Sequence, residues 1–85
     1  MTSTLMHFDK QLDARGLNCP LPILRCKKSL AEIEASQVLK VISTDAGSIK
    51  DFQSFCKQTG HELISFEEKE DEKKEYIFFI RKKVG

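Results

Sequence analysis

The chain has 85 residues with 14 basic and 13 acidic side chains, a net charge of +1. This predicts one small domain over residues 1–85 and lacks the basic excess of a nucleic-acid binder. Three cysteines are an odd number, and with no CxxC pair they argue against a disulfide framework and a zinc site and for a reducing compartment. No stretch reaches the ~18 apolar residues that span a bilayer, and residues 1–10 lack the apolar core of a signal peptide, so the expected location is the cytoplasm with no membrane contact.

Residues 1–10 have no period and read as a lead-in, with His7 a solvated tail residue. Residues 8–14 alternate loosely through Phe8, Lys10, Leu12 and Ala14 and end at Arg15-Gly16, a short strand followed by a tight connection. That connection delivers Asn18-Cys19-Pro20-Leu21-Pro22. Proline suits the first helical turn, whose N–H groups have no intrahelical partner, so the two prolines mark a helix start. Cys19 then lies at or next to the N-cap, where the positive end of the macrodipole favours an anion such as a thiolate. A free cysteine titrates near pH ~8.5, and a helix N-terminus is one of the settings that lower this value. Pro20 and Pro22 have no N–H to offer the sulfur and act as rigidifiers; Leu21 and Ile23 retain theirs. Arg15 is a candidate source of positive charge nearby.

From Pro20 to about Glu34, Ile23, Leu24, Cys26, Leu30, Ala31 and Ile33 recur at three- and four-residue intervals as the apolar side of a helix. Arg25, Lys28, Glu32 and Glu34 form its wet side. Cys26 reads as a core residue; pairing with Cys19 would need the first turns unwound, because seven residues of helix separate Cα atoms by roughly 10 Å and a disulfide needs less than ~7 Å. After a turn at residues 35–37, residues 38–43 have the β-branched profile of a central strand, which completes a right-handed βαβ unit. Thr44-Asp45-Ala46-Gly47-Ser48 supplies turn chemistry, with Asp45 or Ser48 as N-cap of a second helix over 48–59 that Gly60 closes. Ile49, Phe52, Phe55 and Cys56 share that helix's inner side. Lys50 and Lys57 face away from it.

Residues 61–68 read as a strand with Leu63 on one face and Ile64 and Phe66 on the other. His61 serves the corner after Gly60. The run EEKEDEKKE over 67–75 reads as a solvated strand end plus a hairpin loop. Residues 76–80 form the most apolar strand, polar on neither face. The order β-α-β-α-β-β predicts an α/β two-layer sandwich, a four-stranded mixed sheet with both helices on one side. The other side of the sheet is then largely bare and apolar, a candidate contact surface. Cys19 falls at the carboxyl edge of the sheet, where open α/β sheets place their chemistry.

Leu12 to Pro22 with its Cys-Pro-x-Pro element, Lys27-Lys28, the turn at 44–48, and Phe55-Cys56-Lys57-Gln58-Thr59-Gly60-His61-Glu62-Leu63 together resemble the TusA (SirA/YedF-like) sulfur-carrier family over about residues 11–83. The resemblance implies a persulfide carrier, a sulfurtransferase-type relay protein rather than a free-standing enzyme, needing no cofactor and acting as a monomer. In it Cys19 accepts sulfane sulfur from a cysteine desulfurase or rhodanese and passes it to a DsrE-type or other acceptor protein. Pro20, Pro22 and Arg15 shape the site. The implied fold resembles the C-terminal domain of translation initiation factor three, with strand order 1-2-4-3. In the best-known member the relay ends in 2-thiolation of the tRNA wobble uridine; others serve sulfur oxidation, thiosulfate use or molybdenum cofactor supply. Leu21 occupies a position where glutamate is frequent in tRNA-thiolating members, and Ala46 one where proline is frequent.

Two other readings follow from the residues. One is a redox or regulatory protein with Cys19 as oxidation sensor, for which only Cys56 could be the resolving thiol. The other is a nucleic-acid module on the shared fold, against which the near-neutral charge counts.

Overall fold

The computed structural model describes residues 7–18, 20–70 and 74–84. Its elements are β1 (Lys10–Ala14), α1 (Leu21–Ala31), β2 (Val38–Ser43), α2 (Ser48–Thr59), β3 (Glu62–Glu70) and β4 (Lys74–Arg81). The strands form one sheet in the order β1-β2-β4-β3, with β1 parallel to β2 and the other pairs antiparallel. This is the architecture the element order predicts and the strand order the resemblance implies. The parallel pair requires a crossover, which α1 supplies.

Alternation explains which side chains enter the main core. Leu39 and Val41 of β2 and Tyr76, Phe78 and Ile80 of β4 point to the helices, where they meet Cys26, Leu30, Phe52, Phe55 and Cys56. The Phe52 and Phe78 rings lie 4.6 Å apart between centroids and are both fully buried. α2 ends where Gly60 takes φ 89° and its N–H bonds to the Cys56 carbonyl at 2.9 Å, a left-handed closure that only glycine adopts without strain. α1 stops at Ala31, short of the expected Glu34, because the Glu32 N–H turns to the Ser29 carbonyl at 3.1 Å and the last turn tightens.

The far side of the sheet corrects an expectation. Val38, Ile77 and Phe79 there are buried, packed with Ile42 and Ile64, and the face is less bare than two helices for four strands suggests. Phe8, just ahead of β1, lies 6.3 Å from Phe79 between ring centroids, with the Lys40 ammonium 5.0 Å from the Phe8 ring centre. Asp9 holds this lead-in in place: its N–H bonds to the Val38 carbonyl at 2.8 Å and its carboxylate accepts the Val38 N–H at 2.9 Å. β1 itself therefore begins at Lys10 rather than Phe8.

The hairpin differs too. A register shift between Leu63 and Ser65 inserts an extra residue, so Phe66 pairs with Phe78 on the same side as Leu63, not opposite it. Ile64 alone joins the far face. Most of the charge run is strand, with Lys69 opposite Glu75 in register. Unlike charges directly across a ladder stabilise it, which a composition reading takes for loop. Truncating the best-buried contact should cost most: Phe52→Ala is expected to lower stability by about 3–5 kcal/mol in urea denaturation, and Leu24→Ala, on an exposed side chain, by less than about 0.5 kcal/mol.

Candidate functional site

β1 and β2 run parallel with Ala14 opposite Ser43, so the segments that follow them leave the sheet at the same edge. After β1, Gly16 adopts φ 82° and donates its N–H to Thr44 Oγ1 at 2.9 Å. The Leu17 N–H bonds back to the Ala14 carbonyl at 3.3 Å, and the Leu17 side chain packs on the core. Cys19 itself lies outside the described residues, between Asn18 and Pro20. Pro20 is the N-cap of α1 and Pro22 sits buried in its first turn. The prolines therefore begin the helix as expected.

The backbone donors of that first turn are fewer than the sequence suggests. Leu21 gives its N–H to the Asn18 carbonyl at 2.8 Å, so that donor is already engaged. Pro20 and Pro22 have none, and Ile23 is the only first-turn residue whose N–H is not already placed among the described residues. Nothing acidic occupies the first turn, so no carboxylate there opposes an anion at the helix start. Cys26, Ser29 and Leu30 set the inward face with Pro22. This turns Leu24 outward, contrary to expectation: Leu21 and Leu24 are 46% and 53% exposed, an apolar pair beside the Cys19 position.

Arg15 is placed at the same edge, but its charge is committed. Its Nε and Nη2 lie 2.9 Å from the two Asp13 carboxylate oxygens, and Nη1 lies 3.5 Å from Glu75 Oε2. One guanidinium between two carboxylates leaves the group of three without net positive charge. The bidentate contact, first the side-chain hydrogen bonds and then the Arg15 backbone N–H, holds the Asp13 carboxyl down at about 2. With Gly16, Thr44, Lys74 and Glu75, Arg15 lines an open cleft of about 560 Å³.

The turn after β2 does more than the capping expected of it. Neither Asp45 nor Ser48 caps α2 through its side chain; Gly47 is the N-cap residue. The Asp45 carboxylate instead accepts the Gly47 N–H at 3.0 Å. The Ser43 and Ser48 hydroxyls, both buried, pair at 2.6 Å. Sequence reading treats Thr44 as a turn former; the signal for its contact with Gly16 is the parallel register, which patterning alone does not supply.

The remaining cysteines and histidines are structural. Cys26 is fully buried and Cys56 is 5% exposed, both as free thiols. Burial pushes Cys56 up to about 11 and Cys26 higher still, the latter also through proximity to Cys56. His61 stands at the opposite end of the domain, in the corner predicted for it, where its Nδ1 accepts the Lys83 N–H at 3.0 Å. Desolvation, then Lys83 and Lys82, lower its pKa. His7 pairs with Asp9 at 3.0 Å on an exposed surface.

Comparison with known proteins adds the following. Residues 10–82 match the family described as Sulfurtransferase TusA. The chain is similar to the sulfur carrier protein TusA of Allochromatium vinosum, 56% identical over 75 residues that cover 88% of this chain and 95% of the relative. It is also similar to the sulfur carrier protein TusA of Pseudomonas entomophila, 44% identical over 79 residues that cover 93% and 94%. Its fold is similar to the crystal structure of the SirA-like protein from Desulfitobacterium hafniense, with a TM-score of 0.69 and 26% identity over 89% of this chain and 100% of that one.

Two measurements test this description. In the native protein at neutral pH, iodoacetamide should modify Cys19 alone, with Cys26 and Cys56 reacting only after denaturant is added; rapid labelling of all three would contradict their burial. For His61, the folded state favours the neutral ring, so stability is fully present above the unfolded pKa near 6.5 and falls as pH drops toward the lowered folded value. His61→Asn, which keeps an acceptor for Lys83, should flatten that part of the melting-temperature profile.

Proposed function

The chain belongs to the TusA family of sulfur carriers, and from that premise we infer that it holds sulfane sulfur as a persulfide on Cys19 and passes it between proteins. The observation that carries this assignment is elimination. Of three cysteines, Cys26 and Cys56 are sealed in the core with thiols that stay protonated at neutral pH. A sulfur that must reach another protein's cysteine cannot travel on either. Cys19 immediately precedes the N-cap residue of α1, the end of a helix that favours an anion.

The transfer needs no oxidant or cofactor. The Cys19 thiolate attacks the terminal sulfur of a donor persulfide; that sulfur bonds to Cys19 as the donor's S–S bond breaks, and the donor cysteine leaves as a thiolate. Delivery is the same exchange with the roles reversed: an acceptor thiolate attacks the terminal sulfur and Cys19 leaves as thiolate. A persulfide is more acidic than a thiol, so the helix start stabilises both the empty and the loaded anion. Exposed Leu21 and Leu24 give a partner protein apolar surface beside the reacting sulfur. The donor is a cysteine desulfurase or rhodanese, and the acceptor is a protein thiol, of the DsrE type or another.

The redox-sensor reading requires Cys56 as resolving thiol, and its burial removes it from reach. Intact mass after incubation with a cysteine desulfurase and L-cysteine tests the assignment. A gain of one sulfur atom, reversed by reductant, is expected in the wild type, Cys26→Ala and Cys56→Ala and not in Cys19→Ser. No gain in the wild type, or a loss of two hydrogens requiring both Cys19 and Cys56, would overturn it.

A further inference from the structure

Among the described residues, the main chain of the segment that carries Cys19 is hydrogen-bonded to a part of the chain distant in sequence at one point. The Arg15 N–H bonds to Asp13 Oδ1 at 3.1 Å, that of Leu17 to the Ala14 carbonyl at 3.3 Å and that of Leu21 to the Asn18 carbonyl at 2.8 Å. Each of these spans three residues or fewer, the first two to the end of β1 and the third within the segment. The Gly16 N–H, 2.9 Å from Thr44 Oγ1, crosses 28 residues to the turn after β2. At φ 82° Gly16 holds a left-handed turn that suits glycine, and its N–H is the point at which this turn is tied to the segment after β2.

Thr44 stands on a fixed base. Ser43 Oγ, paired with Ser48 Oγ at 2.6 Å, also accepts the Asp45 N–H at 3.2 Å. The Ser48 N–H bonds to the Asp45 carbonyl at 2.9 Å. The Ser43 and Ser48 hydroxyls are buried, so water does not compete for this pair and the turn on either side of Thr44 is held at β2 and at the start of α2. The hydroxyl that receives Gly16 is thus anchored to the sheet, while the segment it receives ends at Cys19.

Resting on the carrier reading, we propose that Thr44 is a positioning residue for sulfur transfer: by accepting the Gly16 N–H it fixes the place to which the segment brings Cys19 when a partner's persulfide approaches. Exchange at sulfur requires attacking, transferred and leaving sulfurs in line, and a misplacement of the attacking atom by about 1 Å can cost up to ~100-fold in rate. The hydroxyl acts through the backbone it holds. Because Gly16 is exposed, its N–H turns to water when the hydroxyl is removed, and the fold loses little.

The test is the single-turnover rate of loading from a cysteine desulfurase with L-cysteine, read by intact mass, for wild type, Thr44→Val and Thr44→Ser. Thr44→Val is expected to load about tenfold more slowly at saturating desulfurase, with the half-saturating concentration and the final extent unchanged. Thr44→Ser, which restores the acceptor, should return to within about twofold of wild type. Alkylation of Cys19 by iodoacetamide, a small reagent that demands no docked geometry, should stay within about twofold in both variants. Equal loading rates in wild type and Thr44→Val would overturn the inference and leave the carrier assignment standing. So would a Thr44→Ser variant as slow as Thr44→Val, or an alkylation rate that falls in step with loading. A wild-type protein that takes up no sulfur would overturn both.

Discussion

The parallel pairing of β1 with β2 is the constraint on which the rest of the molecule depends. A parallel pair cannot close through a hairpin, so the chain must cross over as α1 and re-enter the sheet at the end where it began. With Ala14 opposite Ser43, both strands finish at one edge, and both helices start there. Two helix N-termini, each the positive end of its macrodipole, therefore share that edge with the segment that holds Cys19. The chemistry has its address because of strand direction, before any side chain is chosen.

Packing then seals two of the three thiols away from solvent. The same helical periodicity that sends Pro22, Cys26, Ser29 and Leu30 inward turns Leu21 and Leu24 out beside the Cys19 position. α2 closes over Cys26 with Phe52, Phe55 and Cys56, so desolvation, joined for Cys26 by proximity to Cys56, keeps both core thiols protonated. On the far face of the sheet, Phe8 lies by Phe79 with the Lys40 ammonium over the Phe8 ring, and β4 is apolar on both sides, with Ile77 and Phe79 buried on this one.

Much of this was readable in the chain. Gly60 after a helical pattern, the proline pair after Asn18-Cys19, and the β-branched run of β2 each carry their own backbone preference, so the elements fall where those residues put them. What escaped was set by partners distant in sequence. Leu24 fits either side of a helix until the neighbouring Cys26 and Leu30 find the core. Phe66 changes sides because one extra residue enters β3. Arg15 looks like a free cation until Asp13, two residues earlier, and Glu75, far along the chain, close on it. Thr44 reads as a turn residue until the register brings Gly16 against it. The helix start at Pro20 and Pro22 was legible from the motif; the contacts around it depend on tertiary structure that local pattern does not encode.

The sealing of Cys26 and Cys56 bears on how long a loaded carrier lasts. A persulfide within reach of a second thiol on the same chain destroys itself: the thiol attacks the inner sulfur, a disulfide forms and hydrogen sulfide departs. Here the two candidate attackers are locked behind the helices, so the cargo has no internal route of escape and leaves only when another molecule's thiol comes for it. Core packing, usually counted as stability, acts in this protein as the shelf life of its sulfur.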